Sequence, residues 1–165
     1  MKILVLSDSH SAMRFMRTCV ETIKPQAIVH LGDHYDDGET LKELYPQIPL
    51  HQVPGNCDRY RCPPWVHTTL CYDVCGVRLF MTHGHKQGVK TNTAMLIAEA
   101  RAMGAQAALY GHTHIAEINK TEDGMWVMNP GSSGYGGGSA GLVEVKEGKI
   151  FTCRIITQDN LEEFV

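Results

Sequence analysis

The sequence predicts an α/β domain in which two β-sheets pack face to face with helices outside. Three observations predict it. Lys2 to Val53 reads β-α-β-α-β, which implies a parallel sheet with right-handed crossovers. From Thr68 onward the chain reads as a hairpin, one helix and several short strands. Clusters of ligand-type polar residues follow the strand ends, where open α/β sheets bind their ligands.

Lys2–Ser7 is a short apolar run of the kind that forms a buried strand. Ser11 to Ile23 carries Met13, Met16, Val20 and Ile23 at helical spacing, with Ser11 as the expected N-cap and Pro25 beyond the end. Ala27–Leu31 and Leu50–Val53 are two further buried strands. Between them, Thr40–Tyr45 predicts a short helix stopped by Pro46. Thr68–Val74 and Val77–Thr82 form a hairpin hinged at Gly76. Thr91–Met103 reads as a helix with Ala94, Ile97, Ala98 and Arg101 at helical spacing and Gly104 closing it. Ala107–Tyr110 is a buried strand. Ile115–Lys120, Met125–Met128, Gly141–Val145 and Ile150–Ile156 are expected as an antiparallel meander, with Glu147-Gly148 as its last turn. Gly131–Gly141 is glycine-rich and reads as a loop.

Composition narrows the function classes. The 165 residues suit one domain over 1–165, and no linker or internal repeat divides them. The chain is 43% hydrophobic and 20% charged, as an ordinary globular protein is. Its net charge of −3 and lack of a Lys/Arg stripe argue against a general nucleic-acid grip. No apolar run nears the ~20 residues that span a bilayer, and Met1-Lys2 leads into a strand without a cleavable signal pattern. The expected location is therefore cytoplasmic. Six cysteines without a Cys-x-x-Cys pair point to thiols rather than disulfides or a zinc knuckle. Cys71 and Cys75, spaced by four, read as ordinary thiols.

The chemistry lies in five clusters. They are Asp8-Ser9-His10, Gly32-Asp33, Gly55-Asn56-Cys57-Asp58, His83-Gly84-His85 and Gly111-His112-Thr113-His114, each after a predicted strand. In extended chain, residues i and i+2 point the same way, so Asp8 with His10 and His112 with His114 are expected to face one site. The glycines let the backbone turn and approach a ligand closely. Four imidazoles, two carboxylates and one amide oxygen suit Mn²⁺, Fe²⁺, Ni²⁺ or Zn²⁺ better than Ca²⁺ or Mg²⁺. They are too many for one transition ion and divide evenly over two if a carboxylate bridges. Such pairs, ~3.5–4 Å apart, act on phosphoryl transfer.

The ordered set D-x-H, G-D, G-N-x-D, H-G-H and G-H-T-H closely resembles the calcineurin-like metallophosphoesterase superfamily. Its G-N-C-D form and short length resemble the small prokaryotic phosphodiesterase branch. The resemblance runs from Lys2 to about Ser132 and includes Asn129-Pro130-Gly131-Ser132. It implies a four-layer αββα sandwich with two mixed sheets. It also implies a dinuclear centre, with manganese foremost. Asp8, His10 and His114 would hold the first ion, Asn56, His83 and His112 the second, and Asp33 would bridge. A hydroxide between the ions would attack the phosphorus of a small phosphodiester substrate, and Asn56 would help steady the growing charge.

Cys57 departs from the pattern, because most of the superfamily has His after the Asn. A thiol with a pKa near ~8.5 is a poorer acid and carries no positive charge. Good leaving groups and diester monoanions are therefore expected substrates, and Cys57→His is expected to gain monoesterase activity. Asp58 and His85 complete the groups read as catalytic. Asp58 either orients a neighbour or caps the turn, and His85 is placed near the substrate.

Other residues have plainer readings. His30 reads as a hydrogen-bonded core residue, and His51 and His67 as surface residues. His34, Asp36 and Asp37 either support the ligands or sit in a solvated loop. The 131–141 loop lacks a G-K-[ST] ending and reads as a mobile rim rather than a P-loop. Trp65 with Pro63 and Pro64 forms a rim patch for substrate or a second subunit in a homodimer, or else covers the core. The competing function is a protein-binding scaffold of the same fold, as in a retromer subunit; the filled ligand set favours the enzyme. A metallo-β-lactamase would need a His-x-His-x-Asp-His cluster, which His83–Gly88 does not supply. A nuclease would need more basic surface than this chain offers.

Overall fold

The computed structural model of the protein describes residues 1–164. β1 (Lys2–Leu6), β2 (Ala27–His30) and β3 (Leu50–Gln52) are parallel and lie in one sheet with β9 (Ser139–Lys146) and β10 (Lys149–Thr157), in the order β10-β9-β1-β2-β3. β4 (Thr69–Val74), β5 (Val77–Thr82), β6 (Ala107–Leu109), β7 (Ala116–Lys120) and β8 (Trp126–Pro130) form a second sheet, in the order β4-β5-β6-β8-β7. Both sheets are mixed, as the fold reading expected, and each has five strands.

Side-chain alternation explains the layers. Ile3 and Val5 of β1 and Val29 of β2 enter the core between the sheets, where they meet Leu79, Met81 and Leu109. Leu4 and Leu6 point the other way, onto Phe15, Met16, Cys19 and Val20 of α1 (Met13–Ile23) and Leu41 of α2 (Tyr35–Leu44). On the far side Phe80, Ala108 and Val127 pack on Leu96 and Ala100 of α3 (Ala94–Ala102). Each fully buried Leu or Ile contributes ~1.5–3 kcal/mol relative to an exposed one. Met16 is wholly buried, and Met13 is partly buried against the same layer. No helix among the described residues is long and apolar enough to cross a membrane.

Several local expectations change. The last four strands are not one meander. β7 pairs with β8 in the second sheet, while β9 and β10 join the first. β1 and β6 bury both faces and need a partner at the open edge. β9 supplies it antiparallel to β1, and β8 parallel to β6. β9 also begins at Ser139, so the glycine-rich loop ends before Gly141. A Cβ at Gly141 would meet Met128 Sδ at 2.6 Å, so this glycine allows close packing between the sheets.

The helix starts also differ. α2 begins at Tyr35, five residues before the expected Thr40, because the Asp58 carboxylate accepts the His34 and Tyr35 N–H groups at 2.8 and 2.9 Å. That acceptor comes from the β3 loop, so no local capping signal marks it. Ser11 is not the N-cap of α1. Its backbone is left-handed (φ 69°), its N–H donates to Asp37 Oδ2 at 2.8 Å, and Ala12 stands at the cap without a side-chain bond. α3 spans Ala94–Ala102, shorter at both ends than expected, with Gly104 just beyond at φ +69°. His51 is not a surface residue. Its ring stacks on Tyr72 across the sheet edges, with centroids 3.8 Å apart. Trp65 is 78% exposed and therefore does not cover the core.

Candidate metal centre

β1, β2 and β3 end on the same rim as β5 and β6, since each set runs parallel within its sheet. The sequence-predicted ligand clusters leave these ends and converge. The backbone there is not extended, so the i, i+2 argument does not hold. Asp8, His10, Asp33, His112 and His114 have φ of 51, 44, 56, 71 and 62°. A non-glycine residue held in this region costs ~1–3 kcal/mol and persists only where its surroundings impose it. Around Asp8 those surroundings are visible. Its N–H donates to the Gly32 carbonyl at 2.9 Å, and its carbonyl accepts the Ser132 hydroxyl at 2.7 Å. Its Oδ2 accepts the Ser7 hydroxyl at 2.5 Å and the His112 N–H at 3.0 Å.

The first half of the centre is Asp8, His10, Asp33 and His114. One ligand atom from each lies within 4.8 Å of all the others. Asp8 Oδ1 is 3.1 Å from His114 Nε2. Asp8 Oδ1 and His10 Nε2 are both buried without a hydrogen-bond partner. Buried polar atoms are ordinarily satisfied, so two orphans facing two further ligand atoms fit a divalent cation. Burial lowers the His10 pKa against the pull of Asp33, which favours the neutral ligand form. Burial works to raise the Asp33 carboxyl, but His83 and the Cys57 N–H outweigh it, so Asp33 lies below its ordinary range.

Beside this cluster lie the other three expected ligands, Asn56, His83 and His112. His83 Nε2 is 3.1 Å from Asn56 Oδ1, 3.6 Å from Asp33 Oδ1 and 3.9 Å from Asp8 Oδ1. Its Nδ1 donates to the Leu31 carbonyl at 2.8 Å, which leaves the Nε2 lone pair facing the centre. The His112 ring is 5.0 Å from that of His83, and its pKa is pushed down to about 4 by burial and by His83 and Lys90. His85 lies 5.4 Å from the His83 ring, with Nδ1 buried and unpartnered.

Asp58 and Cys57 stand differently. Asp58 is fully buried, and its two oxygens accept the N–H groups of Asp33, His34, Tyr35 and Gly55 at 2.7–2.9 Å. It therefore holds the Asp33 turn from behind, the orienting role offered for it above, rather than presenting a free oxygen to a substrate. Cys57 is exposed, and its N–H donates to Asp33 Oδ1 at 2.9 Å. Burial and Asp33 raise its thiol pKa. Gly55 and Gly111 permit close approach, since a Cβ would lie 2.1 Å from Asp33 Oδ1 and 2.0 Å from Ser7 Oγ respectively.

Several further residues support the candidate ligands. The Ser9 hydroxyl donates to Asp37 Oδ2 at 2.7 Å and accepts from His30 Nε2 at 3.1 Å. His30 Nδ1 accepts the Gly32 N–H at 3.3 Å, so this core histidine ties the first two ligand loops together. Asp37 is thus a buried tie, while Asp36 pairs with Arg61 at the surface at 2.8 Å. His34, Asp36 and Asp37 also come within 4.8 Å of one another, but both carboxylates already have partners. Asn129 Nδ2 donates to the Gly111 carbonyl and to Thr113 Oγ1 at 3.1 and 2.9 Å, which shapes the His112–His114 turn. Tyr135, from the glycine-rich loop, stacks on His114 at 5.2 Å and lies 5.0 Å from His10. Asn129 lies in the family-like Asn129–Ser132 stretch, His30 was read as a hydrogen-bonded core residue and Asp37 as either a support for the ligands or a loop residue, while Ser9 and Tyr135 had no such reading.

This geometry has known counterparts. The calcineurin-like phosphoesterase superfamily domain matches residues 1–148. The probable metallophosphoesterase YsnB of Bacillus subtilis is 31% identical over 133 residues, covering 80% of this chain and 75% of the relative. A probable metallophosphoesterase of Mycoplasma pneumoniae is 30% identical over 134 residues, covering 79% and 78%. The crystal structure of a conserved uncharacterized protein, a predicted phosphoesterase, from Streptococcus pneumoniae TIGR4 superposes with a TM-score of 0.74 at 25% identity, over 96% of this chain and 90% of that one. Vps29 of Entamoeba histolytica complexed with Zn²⁺ superposes with a TM-score of 0.70 at 19% identity, over 95% and 99%. The last likeness speaks for the fold alone.

Proposed function

The chain belongs to the calcineurin-like phosphoesterase superfamily, and from that membership we propose that it hydrolyses small phosphodiesters at a centre of two divalent ions. Mn²⁺ is the foremost candidate, with Ni²⁺, Fe²⁺ and Zn²⁺ as alternatives. One observation carries the reading: Asp8 Oδ1 and His10 Nε2 are orphaned in a buried pocket beside Asp33 and His114. Asp8, His10 and His114 would hold one ion, Asn56, His83 and His112 the other, and Asp33 would reach both. When bound, the ions supply positive charge to the phosphoryl oxygens and lower the pKa of the attacking water.

The protein's own groups then divide the remaining work. The Leu31 carbonyl keeps His83 in the tautomer that leaves Nε2 free. Asp58 fixes the loop that carries Asp33, so the shared carboxylate keeps its place. Cys57 replaces the usual histidine with a thiol whose pKa is raised by burial and Asp33, so it stays neutral. It offers no positive charge to a doubly charged monoester and little proton donation to an alkoxide. That favours diester monoanions with good leaving groups over alkyl monoesters.

The competing reading is a protein-binding platform of the same fold. Metal binding does not separate the two, because Vps29 of Entamoeba histolytica is itself complexed with Zn²⁺. Turnover does. Metal-stripped protein refilled with Mn²⁺, Ni²⁺, Zn²⁺ or Mg²⁺ is assayed on bis-p-nitrophenyl phosphate and on p-nitrophenyl phosphate. Metal-dependent diesterase activity that collapses in Asp33→Ala supports the enzyme. A folded, metal-loaded protein without turnover supports the platform.

A further inference from the structure

The centre opens on one side into a groove of about 530 Å³. Asn56 and His85 line it, so it continues from the second half of the centre. Pro63 and Pro64 give it an apolar wall, and the Tyr60 ring in the lining is 89% exposed, free for stacking. His85 Nδ1, buried and unpartnered, belongs to the same lining.

Its charge is one-sided. Arg59 and Lys86 line it. Arg17, Arg61, Arg78, Arg101 and Arg154 each pair with a carboxylate. Arg59 instead lies over the Tyr60 ring, 5.5 Å from its centroid. Lys86 Nζ donates to the neutral Thr68 hydroxyl at 3.2 Å. Asp58 also lines the groove, but both its oxygens are committed to backbone N–H groups. Two cations without a carboxylate partner among the described residues, set beside an apolar wall, match an anion attached to an organic body. The planar fork of an arginine suits two oxygens of a phosphate.

We propose that this groove binds the part of the substrate beyond the scissile bond and selects phosphodiesters that carry a second phosphate on an aromatic or apolar body. The proposal rests on the phosphodiesterase reading, and its test is chosen to fail separately. Calorimetry on the metal-loaded full chain compares thymidine 3′,5′-bisphosphate with thymidine 5′-monophosphate at low salt. The bisphosphate is expected to bind about ten-fold tighter, as two charge-assisted contacts allow. That ratio falls towards one in the double variant Arg59→Ala with Lys86→Ala, whose fold is checked by thermal melting. Equal affinities in the unmodified protein overturn the proposal. So does a ratio that survives the double substitution. The p-nitrophenyl ester of thymidine 5′-phosphate, with and without a 3′-phosphate, then gives the same ratio in kcat/KM. An intact binding ratio without turnover of either ester supports the groove and overturns the phosphodiesterase reading alone.

Discussion

The two halves of the candidate metal centre are built by different means. The first half places Asp8, His10, Asp33 and His114 on left-handed backbone and leaves two buried atoms without partners. In the second half only His112 is left-handed (φ 71°), while His83 and Asn56 keep ordinary backbone with His83 Nε2 and Asn56 Oδ1 3.1 Å apart. Strain and orphaned atoms are unfavourable without a cation, so the first half is preorganised for one. In the second half the His83 Nε2 lone pair faces Asn56 Oδ1, two acceptors with no proton between them, because His83 Nδ1 already donates to Leu31; Asn56, His83 and His112 bring no carboxylate of their own. The same polypeptide thus offers a more strained, doubly acidic group of candidate ligands and a less charged one, with Asp33 between them.

Removing the joint has the largest expected effect. Asp33→Ala should lower diesterase activity on the order of 10³-fold and reduce the number of ions retained, as followed by steady-state kinetics and metal analysis. Activity within ten-fold of the unmodified protein would break the idea of a shared carboxylate. Asp58→Ala should come next. It leaves the N–H groups of Asp33, His34, Tyr35 and Gly55 without their acceptor, at a cost of about 3 kcal/mol in thermal or urea unfolding. A near-neutral result would mean that water or another group takes over the turn.

The asymmetry itself is tested by metal titration. Two classes of site are expected, separated by at least about ten-fold in affinity, with His10→Ala abolishing the tighter and Asn56→Ala the weaker. A single class would erase the distinction between the halves. Cys57→His should then raise the ratio of monoesterase to diesterase activity several-fold, since an imidazole can carry both charge and proton. An unchanged ratio would remove Cys57 from any account of specificity.

The smallest effect concerns His30, the tie between the first two ligand loops. Burial holds its pKa below the ordinary 6.5, so the unfolded chain takes up a proton that the folded one refuses. Its contribution is fully present above pH 6.5 and is lost as the pH falls from there towards the folded value. A single such site gives at most about 1.4 kcal/mol per pH unit. Melting temperatures at pH 7.5 and 5.5 should therefore differ less in His30→Gln than in the unmodified protein. Only partial flattening is expected, because burial also lowers the pKa of His10, His51, His85 and His112. An identical slope would show that His30 takes up its proton without unfolding cost.

The comparison between halves was not legible in the sequence, although the ligands were. Short apolar runs such as Ile3–Leu6 and Ala27–Val29, each followed by a polar cluster, place Asp8, Asp33, Asn56, His83 and His112 at strand ends. Burial of the runs leaves the next residues at the rim. Alternation along β1 likewise specified two buried faces, and hence layers on both sides. Those are local consequences of hydrophobicity and period.

What only the tertiary structure decided depends on partners far apart in the chain. The Asp8 carboxylate is held by the His112 N–H across 104 residues, and its carbonyl by Ser132 across 124. α2 starts early because Asp58 reaches back to His34 across 24 residues. β8 and β9 separate into different sheets because each fills the open edge of a strand already buried on both faces. Local sequence sets a residue's period and polarity, but left-handed backbone, buried carboxylate bonds and strand neighbours are imposed by groups that become adjacent only when the chain closes on itself.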